Sequence, residues 1–169
     1  MTSITQPLRD EHKELLPHVE TLKAAADQVS EVLSDSAWKD IQESYKFLAY
    51  HLIPHAYAEE QALYPVVQKA MGAPQATATM SRDHVEVGRL TEELKARLPL
   101  RYARLDAEQA AGLRGVLYGL YALVKVHFAK EEEIYLPLLD ARLTPEEASR
   151  MFEAMEEAAG EAKARSIEA

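Results

Sequence analysis

The chain has 169 residues, 47% of them hydrophobic and 28% charged, which is most simply one globular domain able to bury about 70% of its unfolded surface. Its net charge of −9 argues against nucleic-acid or anionic-membrane partners and favours cations. It contains no Cys, which excludes disulfides, zinc–thiolate sites and cysteine-held iron–sulfur clusters and is compatible with the cytoplasm, the expected location. No apolar run reaches the ~18 residues of a membrane span, and MTSITQPLRDEH has neither the basic start nor the apolar stretch of a signal peptide.

Helical periodicity runs through the whole chain. The first apolar stripe is Leu8, His12, Leu15, Val19, Leu22, Ala26, Val29 and Leu33, and the second is Ile41, Tyr45, Leu48, Leu52, His55, Glu59, Ala62 and Val66. The third is shorter, from Met80 through His84, Val87, Leu90 and Leu94 to Leu98. The fourth runs Leu113, Val116, Leu120, Val124, His127, Glu131, Ile134, Leu138. Steps of three and four trace the inward faces of helices. Breaks are expected at Ser34-Asp35-Ser36, at Met71-Gly72-Ala73-Pro74 and from Pro99 to Asp106. Asp106-x-x-Gln109 has the form of a capping box, and Thr144-Pro145-Glu146-Glu147 starts a fifth helix reaching about Lys163. Short turns force antiparallel neighbours. The expected fold is therefore all-α: an up-down-up-down antiparallel four-helix bundle over residues 1–142, with a C-terminal extra helix, 143–169, in the same domain.

Two segments of the second and fourth stripes match. HAYAEEQALYP begins at His55 and HFAKEEEIYLP at His127, 72 residues later. The same offset carries His12 onto His84 and Glu59 onto Glu131. A His and a Glu four apart lie on one helical face. Residues equidistant from an antiparallel turn lie at one height. The midpoints of His12/His55, His55/His84 and His84/His127 fall at or beside the three expected turns, so four His from four helices should meet in one layer of the core. The chain reads as a duplicated αα-hairpin with an approximately two-fold site.

A lone inward His is usually a core residue with a satisfied hydrogen bond. Here the same explanation must cover four His and two Glu, and burying two uncompensated carboxylates costs several kcal/mol each. Metal ions supply the missing charge; Glu–His ion pairs without metal are the alternative. Imidazole and carboxylate without thiolate suit iron, manganese or zinc, and two shared carboxylates fit a bridged pair of iron or manganese ions. The Glu-x-x-His of ferritin-like bundles is absent; the order here is His-x3-Glu.

These motifs, isolated His12 and His84 together with His-x3-Glu-Glu and a downstream Pro on two helices, resemble the haemerythrin-like HHE cation-binding domain over roughly residues 5–140. The resemblance implies two iron ions with a solvent-derived oxo or hydroxo bridge. It assigns His12 and His55 to one ion, His84 and His127 to the other, and Glu59 and Glu131 to both. One departure is plain. Oxygen-carrying members have a second His four residues along the third helix, and here that position is Gly88, whose repeat mate is Leu16. A seven-ligand oxygen carrier is not reproduced residue by residue.

His51, four before His55, is read as an additional ligand, an outer partner or an exposed residue, with Pro54 between them removing one backbone hydrogen bond. His18 is read as structural or exposed, and Glu60 and Glu132 as solvated or hydrogen-bonding carboxylates. Tyr45, Tyr50, Tyr57, Tyr64, Tyr118, Tyr121 and Tyr135 are read as core, with one or two donating to a bridging carboxylate or joining one-electron chemistry. Three functions fit: a di-iron module that binds or senses oxygen, nitric oxide or iron; a redox enzyme acting on peroxide, nitric oxide or a similar small oxidant; and a metal-free helical interaction protein. No catalytic residue, nucleotide loop or nucleophilic triad is identifiable.

Overall fold

The computed structural model describes residues 3–168, and every element in that span is helical. Helix α1 is Gln6–Asp27. Helix α2 is continuous over 35–71, α3 is Ala78–Arg97, α4 is continuous over 107–142 and α5 is Pro145–Glu168. A short 3-10 turn, Leu98–Tyr102, leads out of α3.

The boundaries follow local chemistry. The Ser34 side chain accepts from Ala37 N–H at the start of α2. Gly72, at φ 65°, ends that helix; Ala73 N–H bonds to Gln68 O and Gly72 N–H to Lys69 O. This is a Schellman ending, and its left-handed residue favours glycine. Asp106 and Gln109 form the expected capping box on α4, and Thr144 and Glu147 form another on α5. The first helix differs from its apolar stripe. It stops at Asp27, and Val29 is buried and Leu33 half-buried in the connecting segment. Periodicity reports burial, and a loop that returns to the core satisfies it as well as a helix does.

Helices α2 and α4 each pass through widened, π-type turns. These are Leu48–Leu52 and Glu59–Leu63 in α2 and Glu131–Tyr135 in α4. Each closes with an i→i−5 bond: Ile53 N–H to Leu48 O, Tyr64 N–H to Glu59 O, and Leu136 N–H to Glu131 O. Each lies two residues before a proline, Pro54, Pro65 or Pro137. A proline inside a helix has no N–H to donate and crowds the carbonyl four residues back. One extra residue in the preceding turn relieves both problems without breaking the helix.

Helix α1 packs on α2 and α4, α3 packs on α4, and α5 lies along the 53–63 stretch of α2. Two apolar clusters form the core. One holds Val19, Leu22, Ile41, Leu48, Leu94, Leu117, Leu120 and Phe128. The other holds Leu8, Leu63, Tyr64, Met80, Leu136 and Leu139, with Met151 and Met155 from α5. His12 lies between Leu8 and Val19 along α1, and His55 between Leu52 and Leu63 along α2, so a polar layer is sealed by apolar residues on both sides. Among the described residues no helix is long and apolar enough to cross a membrane.

Candidate metal centre

The structure brings His12, His55, Glu59, His84, His127 and Glu131 into this layer. Glu59 and Glu131 are 0% exposed, His12 2% and His55 5%. Glu59 stands in the middle. Its Oε1 is 2.9 Å from His55 Nε2 and 3.9 Å from His12 Nε2, while its Oε2 is 3.1 Å from His84 Nε2 and 3.8 Å from His127 Nε2. Glu131 spans the same two sides, with Oε1 3.5 Å from His127 Nε2 and Oε2 3.4 Å from His12 Nε2. Two groups of three result, His12/His55/Glu59 and Glu59/His84/His127, each with ligand-type atoms within 4.8 Å of one another.

The inner atoms are poorly satisfied by protein. His12 Nε2, His55 Nε2, both Glu59 oxygens and Glu131 Oε2 are buried without a hydrogen-bond partner; the short His55–Glu59 approach is off-line for a hydrogen bond. Native interiors rarely leave such atoms unpaired, and here they face one another. The outer ring atoms are the reverse. Each Nδ1 meets a carboxylate: His12 with Glu132 at 2.9 Å, His55 with Glu11 at 3.0 Å, His84 with Glu60 at 2.7 Å and His127 with Asp83 at 3.1 Å. An ionised carboxylate only accepts, so each Nδ1 carries the donated proton, and Nε2 is the atom left to present a lone pair inward once the ring is neutral. The Nε2 atoms of His84 and His127 are 3.0 Å apart. At that distance a protonated His127 donates to His84, and with both rings neutral the two facing lone pairs need a cation beside them. This is the tautomer and orientation that metal-ligating imidazoles need.

The outer carboxylates keep the 72-residue symmetry. Glu11 and Asp83 are mates, as are Glu60 and Glu132. A further layer holds them in turn. Arg9 pairs with Glu132 at 2.5 Å, its mate Ser81 donates to Glu60 at 2.9 Å, and Lys130 pairs with Asp83. Tyr64 breaks the symmetry. Its hydroxyl donates to Glu131 Oε1 at 3.0 Å and lies 3.4 Å from Nε2 of both His84 and His127; its mate is Leu136.

With protons as the only counter-charge, these groups shift one another strongly. Burial would lower the pKa of His127, but the neighbouring carboxylates Glu131 and Glu59 push it up to about 10. Burial also opposes charge on His55, yet Glu59 and Glu11 hold it well above the ordinary value. Glu59 resists burial too: the charge on His55 and the surrounding imidazoles keep it well below the usual carboxylate range. Glu131 goes the other way, raised by burial and then by the charge of Glu59. Two carboxylates in one dry site cannot both ionise without added positive charge.

The sequence model of the Hemerythrin HHE cation binding domain matches residues 3–139. The chain belongs to the hemerythrin HHE family. Comparisons with curated proteins and with solved structures gave no match. The family domain therefore spans α1 to α4 of this hemerythrin-like chain, and α5 lies beyond it.

Other positions read from the sequence fall outside the cluster or around it. His51 is exposed. It sits inside the widened turn 48–52, where four residues no longer complete the turn that stacks side chains in an α-helix. His18 is exposed and stacks on Phe47 at 5.1 Å. Glu60 and Glu132 are hydrogen-bonding carboxylates. Gly88 brings no side chain, and Leu16 is 37% exposed. Glu11 and Asp83 escaped sequence reasoning, although each immediately precedes a His on its helix and the two are related by the repeat offset.

Proposed function

We propose that this hemerythrin-like chain is a non-haem di-iron protein that binds or reacts with a small oxidant, oxygen, peroxide or nitric oxide, in the core of an up-down-up-down four-helix bundle. The observation that carries the reading is the set of five buried, unpartnered nitrogen and oxygen atoms that face one another between the helices. In this reading His12 and His55 hold one ion, His84 and His127 the other, and Glu59 and Glu131 reach both. When bound, such a pair of ions supplies Lewis-acid and electron-transfer chemistry at its exchangeable positions.

The residues of the chain have separable tasks. Glu11, Glu60, Asp83 and Glu132 fix the imidazole tautomers. The apolar clusters exclude bulk water. Tyr64 keeps a proton on a hydroxyl beside Glu131, because burial and then the charges of Glu59 and Glu131 raise its pKa far above the ordinary value. A pocket of about 10 Å³, edged by His55, Glu59, His84 and His127 and otherwise apolar through Leu52, Ala56, Val87, Val124 and Phe128, touches the centre. It has room for about one water-sized molecule, which favours a diatomic or peroxide over an organic substrate.

The test is to load the chain with iron, reduce it, expose it to oxygen and then remove the gas, following the absorption spectrum. Irreversible oxidation with peroxide or nitric-oxide turnover that is lost in His55→Ala and His127→Ala is the expected result for an enzyme. Oxidation without turnover identifies a sensing or iron-responsive module, and repeated clean recovery of the reduced spectrum identifies a carrier. No spectral response to any of the three oxidants refutes the proposal.

A further inference from the structure

The inner ligands are sealed between apolar clusters, so an ion that reaches them needs a way in. The duplication provides an internal comparison of the two sides. On the His127 side, Asp83 is paired with Lys130, and Glu86 with Arg89 at 2.6 Å. On the His55 side the mates are Glu11 and Glu14, and neither has a Lys or Arg partner among the described residues. Lys130 itself is replaced there by Ala58. The consequence shows in exposure: the Asp83 side chain is 17% exposed and that of Glu11 49%.

Ala58 lines a cavity of about 460 Å³ between α1 and α5. Buried His55 also lines it: its Nδ1 meets Glu11 on the cavity side, and its Nε2, without a hydrogen-bond partner, faces Glu59 in the inner layer, so this ring separates the cavity from the centre. Three carboxylates, Glu11, Glu14 and Glu156, face a single cation, Lys163. Gly160 stands on the α5 wall, where an added Cβ would meet nothing within 4 Å. In the cavity on the other side of α1, which reaches His12, the balance is reversed: three cations, Arg9, Lys13 and Lys125, face one carboxylate, Glu132.

We infer that the cavity between α1 and α5 is the entrance through which divalent metal ions reach the centre, with Glu14 and Glu156 drawing the ion in and Glu11 receiving it beside His55. The inference rests on the reading of the inner residues as a metal centre. It gives a task to α5, which lies outside the family domain, and accounts for Glu11 and Glu14 lacking the cations that their mates Asp83 and Glu86 have. A concave site of one sign of charge concentrates ions of the other and raises their rate of arrival.

The probe is cobalt(II), which is redox-inert under these conditions and coloured when bound. Uptake by the full metal-free chain is followed by stopped-flow absorption, and final content by elemental analysis. Gly160→Trp should narrow the entrance and slow uptake. Glu14→Lys with Glu156→Lys should slow it about three- to tenfold at low ionic strength, and Lys163→Glu should quicken it. The charge effects should vanish at about 1 M salt, where the screening length is about 3 Å. Final cobalt content should match the wild type in every variant, which also shows that each is folded, and Lys13→Glu on the opposite cavity should not slow uptake. Full uptake at unchanged rates in the Trp and Lys variants overturns the entrance alone. A wild-type chain that takes up no cobalt overturns the metal centre and the entrance with it.

Discussion

Asp83→Asn should weaken metal binding by at least tenfold, although Asp83 touches no ion in the proposed centre. Its Oδ2 lies 3.1 Å from His127 Nδ1. Asparagine keeps the volume and an acceptor oxygen but removes the charge that makes His127 a better donor to a cation. Carboxylates in this position typically contribute 10- to 100-fold in metal affinity, or about 1.4 to 2.7 kcal/mol. The low exposure of Asp83 places it within that range, and Lys130, left facing a neutral amide, adds uncompensated positive charge nearby. Glu11 does the same for His55, but its side chain is 49% exposed and well screened. Glu11→Gln should therefore cost no more than about threefold. Competition with a chelator of known affinity, monitored by cobalt absorption, measures both variants. An Asp83→Asn affinity within about twofold of the wild type, or an equal loss in Glu11→Gln, would refute the argument that burial sets the strength of these outer partners.

Glu59→Ala should abolish both ions together, since Glu59 presents one oxygen to each His pair; elemental analysis showing one retained ion would argue against its shared role. Tyr64→Phe should lower the stability of the metal-free chain by about 1–3 kcal/mol in denaturant titrations, because Glu131 Oε1 loses a buried donor, and the loaded chain should lose less. Metal uptake near pH 7 should release protons. His127, pushed up to about 10, is protonated there and must become neutral to bind; affinity should rise with pH towards that value. Calorimetry in buffers of different ionisation enthalpy detects the release, and no buffer dependence would contradict it.

The 72-residue offset made the inner cluster of four His and two Glu legible because these side chains take inward positions, and inward positions obey helical periodicity. The turn positions then fixed their common level. The outer carboxylates were harder to read. Glu11 and Asp83 each precede an inward His by one residue, about 100° round an α-helix, where an acidic side chain ordinarily faces solvent. Whether it reaches the His of the next helix depends on how the two helices pack, which spacing does not encode. Glu60 and Glu132 pose the same problem from the other side. The prolines were visible, and Pro54 was expected to disturb α2. That three prolines would each be absorbed by a widened turn, and that one such turn would leave His51 exposed, required the backbone.

The central claim is a two-ion centre built from four His and two Glu. Elemental analysis of iron-loaded protein, combined with the same count for His12→Ala and Glu59→Ala, tests it most directly. The account predicts about two iron ions per wild-type chain, as expected for two ligand groups sharing one carboxylate, with partial loss in the His variant and complete loss in the Glu variant. At most one ion of any metal in well-loaded wild-type protein would contradict it.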